Sequence, residues 1–454
     1  MRLRSVAALL VGRMLKISLR LLHRRGTSLP GLVMHKVSRT LLGDLLRQLD
    51  TLVIVTGTNG KSTTTALLHS MLNGEQDHWL TNEGGANLQQ GLLSALMAYA
   101  NWRGKLVIKR AVLEVDEATF PHVVRQCAPH LVVITNVVRD QLDRYGEIDH
   151  AMHLLQEGLR DQGITIVANG DDPLATSLAM GRDLSYFYGM DQSASQAAMG
   201  DEVRDGAFCL NCGSELVYDH FMYGQMGLYR CLHCDFAHPN LHFLGTIQDE
   251  TGLSIMECIS WRQGHEAGRL DFHVSASVIG LYNWYNVLAA TAAARILGRS
   301  PAQISRGAHA YKAPLGRMQV FAGPPQRILA LIKNPTGANS VLRAMMEDVC
   351  EKRVCFAIND LDADGRDVSW LWDINIESLV ANAHICAWYC TGRRRLDMAL
   401  RLKYAGVDPA SITVIDSLEF VGKYTSQSTA PVYVLSTYTA LYALAGYLQA
   451  GESA

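Results

Sequence analysis

Three groups of residues in this 454-residue sequence carry reactive side chains at spacings that chemistry uses. The first is Thr56-Gly57-Thr58-Asn59-Gly60-Lys61-Ser62-Thr63. In a glycine-rich turn that opens a helix, backbone N–H groups converge on phosphate oxygens at the positive end of the helix dipole. Lys61 then supplies charge for the outer phosphates, and Ser62 offers a hydroxyl to Mg²⁺. Gly57, Thr58, Asn59, Gly60 and Thr63 complete the nucleotide-binding set. The spacing is G-x-x-G-K-S, and Val55 stands where the first glycine of the common phosphate loop falls, so this is a variant loop.

The second group is a cysteine quartet, Cys209-x2-Cys212 and, after eighteen residues, Cys231-x2-Cys234. Two knuckles of two thiolates each fit a closed tetrahedral Zn²⁺ site with a structural role, the intervening segment forming a hairpin. Tyr218, Phe221, Tyr223 and Tyr229 are expected to pack a small core within it. The third group is acidic. Glu114 ends the run Val112-Leu113-Glu114-Val115-Asp116-Glu117, and Glu83 sits in a polar glycine-rich segment, Thr81 to Asn87. A carboxylate at the end of a strand beside the phosphate loop is placed to ligate Mg²⁺, which makes Glu114 the first candidate and Glu83 the second. Asp360 to Asp367 holds four aspartates in eight residues, a cluster that a solvated loop also explains.

Positioning these groups requires strands that end in loops. Leu52 to Val55 reads as a buried strand feeding the phosphate loop, with a helix beyond it to Leu72 and a stop at Asn73-Gly74. Val132 to Ile134 and Ile164 to Ala168 are further apolar strands. Strands alternating with helical stretches predict a parallel α/β sheet. Met1 to Arg25 reads as a basic amphipathic helix, either packed on its own domain or drawn to an anionic membrane surface. Tyr424 to Gly451 carries no formal charge, yet Ser426, Gln427, Ser428, Thr429 and Pro431 break it into a strand, a turn and a helix rather than a membrane span.

The balance of 41 Lys+Arg against 43 Asp+Glu, a net charge of -2, excludes a wholesale basic nucleic-acid coat. With 48% hydrophobic and 19% charged residues the chain is expected to fold, and its length suggests about three domains. Of the ten cysteines, the six outside the quartet (Cys127, Cys258, Cys350, Cys355, Cys386 and Cys390) read as apolar filler in a reducing compartment. No nucleophile-type cysteine is evident among them.

The loop at 56–63 resembles the ATP loop of the Mur ligase family, which includes the folylpolyglutamate synthases. Asn136 to Gly146 resembles that family's segment after the central strand. Gly280-Leu281-Tyr282-Asn283-Trp284-Tyr285-Asn286 is similar to its G-x-H-N-x-x-N motif, with Tyr282 in place of histidine, and Gly316-Arg317-Met318 to its G-R-M motif. The resemblance implies a central P-loop ATPase domain with a parallel sheet, followed by a C-terminal Rossmann-like α/β domain. It also implies ATP contacts from Asn283, Asn286 and Arg317, with Lys61 and Arg317 neutralising the transferring phosphoryl. The family's D-Y-A-H-N-P signature reads Ala330-Leu331-Ile332-Lys333-Asn334-Pro335 here, and no counterpart of its carbamoylated lysine is evident.

The cysteine quartet and the last third of the chain narrow the resemblance to one branch, the Mur-ligase-like MurT subunits of lipid II isoglutaminyl synthases. That branch implies amidation of the α-carboxylate of D-glutamate in the lipid II stem peptide, at the cytoplasmic side of a membrane. Ammonia would come from a GatD-type glutaminase in a heterodimer, with no nucleic acid involved. Asp367, or failing it Asp364, would complete the partner's Cys-His-Asp triad. The implied domains are residues 1–45, a basic helical segment; 46–313, ATP-binding, with a ribbon inserted at about 205–237; and 314–454, contacting the glutaminase. Competing readings are an amino-acid-adding Mur-type or folylpolyglutamate-type ligase and a zinc-ribbon nucleic-acid-binding ATPase.

Overall fold

Apolar β-branched runs become inner strands because a strand covered on both faces leaves no side for polar residues. In the computed structural model, which describes residues 3–21, 28–74, 77–82, 85–139, 148–160, 163–194, 204–258, 268–321, 323–382, 384–426 and 428–450, these runs build two sheets. The first contains β1 (Thr51–Thr56), β2 (Leu80–Thr81), β3 (Arg110–Glu114), β4 (Leu131–Ile134), β5 (Thr165–Asn169) and β6 (Ser185–Met190). The chain then leaves the sheet for a separate hairpin, β7 (Leu216–Tyr223) and β8 (Met226–Cys231). It returns as β9 (Phe243–Asp249), β10 (Gly252–Cys258) and β11 (Arg269–Ser275).

The order across this sheet is β11-β10-β9-β6-β5-β4-β1-β3-β2. It is parallel from β9 to β2, as the alternation of strands and helices predicts, but β10 and β11 add an antiparallel edge. Burial alternates along β10, which shows one solvated face that an antiparallel edge tolerates. The strand order reverses at β1, so the crevice that a doubly wound sheet offers a ligand lies at the end of β1, where the phosphate loop begins.

The second sheet holds β12 (Gln319–Phe321), β13 (Arg327–Leu331), β14 (Lys352–Ala357), β15 (Ile385–Thr391), β16 (Ile412–Val414) and β17 (Val432–Ser436), in the order β12-β13-β17-β14-β15-β16. All pairs are parallel except the β12 edge. The uncharged C-terminal stretch resolves into β17, buried along its whole length, and a helix, Tyr438–Ala450. Burial explains the missing charges along β17, whereas the helix leaves Tyr442 and Tyr447 exposed; no described helix is long and apolar enough to cross a membrane.

Helix Leu281–Ile296 joins the two halves. It is buried on nearly every side, and Ala289, Ala290, Ala292, Ala293 and Ala294 keep it thin enough to pack closely. At its far end Arg295 donates to the buried Glu257 at 2.5 Å. Helix Leu3–Leu21 packs through Ser5, Ala8, Leu9 and Gly12. A Cβ on Gly12 would sit 2.5 Å from Met34 Sδ, so glycine permits the close approach of helix Leu29–Val37. The apolar stripe of this first helix does not all face inward: Leu10, Val11, Met14, Ile17 and Leu21 point to solvent.

Two expectations are corrected. Cys355 and Cys390 are buried filler and Cys127 and Cys258 are half-buried, but Cys350, just before β14, and Cys386, at the outer start of β15, are exposed. The hairpin's small core is Cys209, Leu216, Tyr229 and Phe236, with Tyr218 against it. Tyr223 instead joins the core of the first sheet, because the hairpin's tip reaches back into the main domain. Replacing Arg295 with Ala leaves the Glu257 carboxylate buried without its guanidinium. That change is expected to cost about 3–5 kcal/mol in urea unfolding, and a loss below about 1 kcal/mol would show that solvent already screens the pair.

Candidate active site

β1 delivers the chain into the phosphate loop at Thr56, and two glycines turn it. Gly57 has φ +113° and Gly60 has φ +84°, backbone that L side chains rarely adopt. Space enforces the same choice. A Cβ on Gly57 would lie 2.5 Å from Thr135 Oγ1, and one on Gly60 would lie 2.2 Å from Asn286 Oδ1. The loop is thus pressed between the end of β4 and helix Leu281–Ile296.

Polar contacts lock it there. Thr58 N donates to Asn136 O at 2.8 Å. Asn59 N donates to Asn136 Oδ1 at 2.9 Å, and Asn136 Nδ2 returns a bond to Asn59 O at 3.0 Å. Thr135 Oγ1 donates to the same carbonyl at 2.7 Å. Behind the loop Thr64 Oγ1 donates to Asn286 Oδ1, and Asn286 Nδ2 donates to Asn283 Oδ1, each at 3.2 Å. Asn283 is itself anchored on Ile279 O at 2.8 Å. Of the two predicted asparagines, Asn286 faces the cleft and Asn283 props it from behind.

Lys61 is folded onto its own loop. Its ammonium donates to Gly57 O, to Thr58 O at 3.1 Å, and to Glu117 Oε2 at 3.0 Å, in a pair where both side chains are buried. Sequence reading did not single out Glu117; its only signal was an acid three residues past the end of β3. Glu114 is directly opposite Val55 in the β1–β3 register. It accepts from Asn87 Nδ2 at 3.0 Å, and Gly85 N lies 3.5 Å from its other oxygen. Glu83, the second magnesium candidate, lies outside the described residues, as does the 140–146 part of the family-like segment.

The second sheet closes the cleft. Arg317 sits between Gly316 (φ +75°) and Met318 (φ +51°), in a turn that aims its guanidinium at Ser62 Oγ, 3.2 Å away. Asn334 exchanges two amide bonds with Asn59, at 3.3 and 3.2 Å, while its Oδ1 caps helix Pro335–Glu347 by accepting from Gly337 N. Residues 275 apart in the chain thus hold the two halves together at the loop. Between them lies a cavity of about 420 Å³ lined by Lys61, Ser62, Glu114, Arg317, Lys333 and Tyr438, among others. A smaller continuation is lined by Gly60, Thr63, Asn286 and Tyr282. Burial raises the Tyr438 phenol above its ordinary range, keeping it a neutral hydroxyl.

The four aspartates behave differently from one another. Asp364 is buried and committed: it accepts from Thr439 N at 2.7 Å, Thr439 Oγ1 at 2.5 Å and Leu361 N at 3.1 Å. Asp360 binds Arg393 and Arg394, and Asp362 binds Arg366. Asp367 is exposed and accepts from the nearby Ser369 N and Oγ, at 2.8 and 3.0 Å. The sulfurs of Cys209, Cys212, Cys231 and Cys234 all lie within 4.8 Å of one another, and the two closest pairs are 3.4 Å apart. That is far from a disulfide's roughly 2.05 Å. It suits a tetrahedral metal with metal–sulfur bonds of about 2.3 Å.

The Mur ligase middle domain family matches residues 55–213, and the MurT ligase C-terminal family matches residues 331–441. The subunit MurT of lipid II isoglutaminyl synthase (glutamine-hydrolyzing) from Streptococcus pneumoniae is 33% identical over 97% of this chain and 96% of its own. Its counterpart from Staphylococcus aureus is 32% identical over 93% of this chain and 92% of its own. Among solved structures, a pseudomurein peptide ligase type C from Methanothermus fervidus shares the fold. Its TM-score is 0.64 at 20% identity, covering 90% of this chain and 80% of that one. At such identity over nearly its whole length, the chain belongs to the MurT branch of the Mur ligase family.

Proposed function

We propose that this chain is the ATP-consuming subunit of a two-protein amidotransferase that converts the α-carboxylate of D-glutamate in the lipid II stem peptide into an amide, giving D-isoglutamine. The observation that carries this reading is the composition of the large cavity. It gathers Lys61, Ser62 and Glu114 from one sheet and Arg317 and Lys333 from the other, and no cysteine is among its lining residues. Cations from both sides suit a triphosphate and the acyl phosphate made from it. A carboxylate oxygen attacks the terminal phosphorus as the bond to ADP breaks. Ammonia then attacks the acyl carbon, the carbon–oxygen bond to phosphate breaks, and the nitrogen loses a proton. Ser62 and Glu114 are placed to hold Mg²⁺, which supplies charge neutralisation at the phosphates. Lys61, Arg317 and Lys333 hold the departing oxygens from the protein side. Lys333 stands at the histidine position of the family's D-Y-A-H-N-P signature, a substitution in keeping with a nucleophile smaller than an amino acid.

Nitrogen comes from glutamine hydrolysed on a second protein, a GatD-type glutaminase in a heterodimer; the relatives' names, subunits of a glutamine-hydrolyzing synthase, support this. With Asp364 bound into its own fold, Asp367 is the aspartate that reaches a partner's catalytic histidine, the 314–454 domain forming the contact. Four thiolates leave no open metal position, so the quartet holds Zn²⁺ structurally, inside the 46–313 ATP-binding domain.

The substrate's lipid anchor places the protein at the inner membrane face. The outward stripe Leu10, Met14, Ile17 and Leu21 on the 1–45 segment supports this, flanked by Arg4 and by Arg13 stacked 4.9 Å over the exposed Trp102 ring.

Asp367→Asn is expected to abolish glutamine-driven amidation while sparing amidation driven by ammonium chloride. Undiminished glutamine-driven turnover would remove Asp367 from the triad. Flotation with phosphatidylglycerol-rich vesicles is expected to carry the intact protein upward and to lose it about tenfold in the double variant Met14→Glu, Ile17→Glu. Equal flotation of both proteins would discard the membrane face.

A further inference from the structure

A nucleotide whose phosphates rest on the loop carries its base one ribose beyond the innermost phosphate, so the base lies near the loop. Two openings leave that point. The larger is a mixed surface: Lys61, Glu114, Asp116 and Asp364 line it together with Leu315, Tyr438, Leu441 and Tyr442, and its charged groups suit the phosphates and the substrate carboxylate. The smaller, about 50 Å³, is lined by Tyr223, Met226, Tyr282 and Val341, with Arg317, Lys333 and the amides of Asn59, Asn136 and Asn286 also on it; Tyr223 and Met226 are themselves buried. Aromatic and aliphatic residues with a few placed amides are what a heterocyclic base requires, and the opening has to widen at the hairpin tip to admit one.

Two of those walls do not belong to the ATPase fold. Tyr223 and Met226 are the last and first residues of β7 and β8, at the tip of the cysteine-bearing hairpin. The cysteine end of the hairpin lies five residues along β8, at Cys231, so the tip and the cysteines are opposite ends of one lever. The tip is tied down. Gln225, 1% exposed, donates through Nε2 to Val137 O at 2.8 Å and to Asp172 Oδ1 at 2.6 Å, and accepts from Gly206 N at 2.8 Å. Gly227 N donates to Asp171 O at 2.9 Å. Tyr223 sets its ring edge-on to Tyr285, 5.5 Å away. Val137 follows Asn136, the residue that grips Asn59 from both sides. The hairpin therefore meets the loop's surroundings twice: through Tyr223 and Met226 along the smaller opening, and through Gln225 to the segment that clamps the loop.

We infer that the ribbon tip, Tyr223 to Met226, forms the wall of the purine-base subsite. The insertion then contributes to nucleotide affinity and selectivity rather than to stability alone. This rests on the nucleotide reading above. The test is calorimetry on the full-length chain with its glutaminase partner, titrated with magnesium ATP and, separately, with magnesium tripolyphosphate, which has the phosphates and no base. Base stacking on an aromatic side chain is worth about fivefold or more in affinity. Tyr223→Ala and Met226→Ala are each expected to weaken ATP binding at least about fivefold and to leave tripolyphosphate binding unchanged, with Tyr223→Phe near wild type.

A second measurement needs no variant. In the wild-type protein ATP is expected to slow amide hydrogen exchange at residues 223–227, and tripolyphosphate is not. Unchanged ATP affinity in both alanine variants, equal loss of ATP and tripolyphosphate, or no ATP-dependent protection of the tip would each overturn the inference. Wild-type protein that takes up tripolyphosphate but not ATP would overturn it as well. Wild-type protein that takes up neither would bring down the nucleotide reading itself.

Discussion

The grip of Asn136 on Asn59 is the constraint on which the rest of the site depends. A phosphate loop works only if its N–H groups are aimed before the ligand arrives, and an isolated glycine-rich turn has no means of aiming them. Here the aim comes from outside the loop. Asn136 bonds both the N–H and the C=O of Asn59, Thr135 bonds that C=O again, and Asn334 bonds the Asn59 side chain from the opposite domain. Close packing of Gly57 and Gly60 against Thr135 and Asn286 leaves no room for another arrangement. The loop is held by β4 on one side, a buried helix behind, and the second sheet in front.

That dependence explains the architecture around it. The alanine-rich face of helix Leu281–Ile296 lets Asn286 approach Gly60, and the strained turn at Met318 lets Arg317 reach Ser62. A positive φ in a side-chain-bearing residue costs of order 1–3 kcal/mol and persists only where the surroundings enforce it. The turn holds the Arg317 guanidinium on Ser62, beside the loop. Lys61 is held differently, turned onto Gly57 and Thr58 carbonyls and onto Glu117. On the proposed reading, phosphate oxygens would compete with those partners for the ammonium.

Much of this was legible in the sequence because local signals carry it. The run Leu52 to Val55 followed by G-T-N-G-K-S-T marked strand, turn and helix. The uncharged C-terminal stretch resolved into the strand and helix that its polar breaks predict, and the cysteine spacing gave a quartet of converging sulfurs. What the sequence concealed was set by distant contacts. Nothing local distinguishes Asp364, which caps helix Tyr438–Ala450, from the exposed Asp367 three residues on. The aromatic residues of the hairpin look alike in sequence, yet Tyr229 packs inside the ribbon and Tyr223 inside the main domain. The pairing of Lys61 with Glu117 and of Asn59 with Asn334 depends on strand order and domain closure, neither of which a spacing encodes.

The central claim is that a carboxylate of the lipid-linked peptide is phosphorylated in the cleft held by this loop. It is tested most directly with lipid II whose D-glutamate α-carboxylate carries heavy-isotope oxygen, incubated with the chain, its glutaminase, ATP and glutamine. Phosphorylation of that carboxylate predicts one heavy oxygen in inorganic phosphate for every amide formed. Amide formation with no label in the phosphate would contradict it.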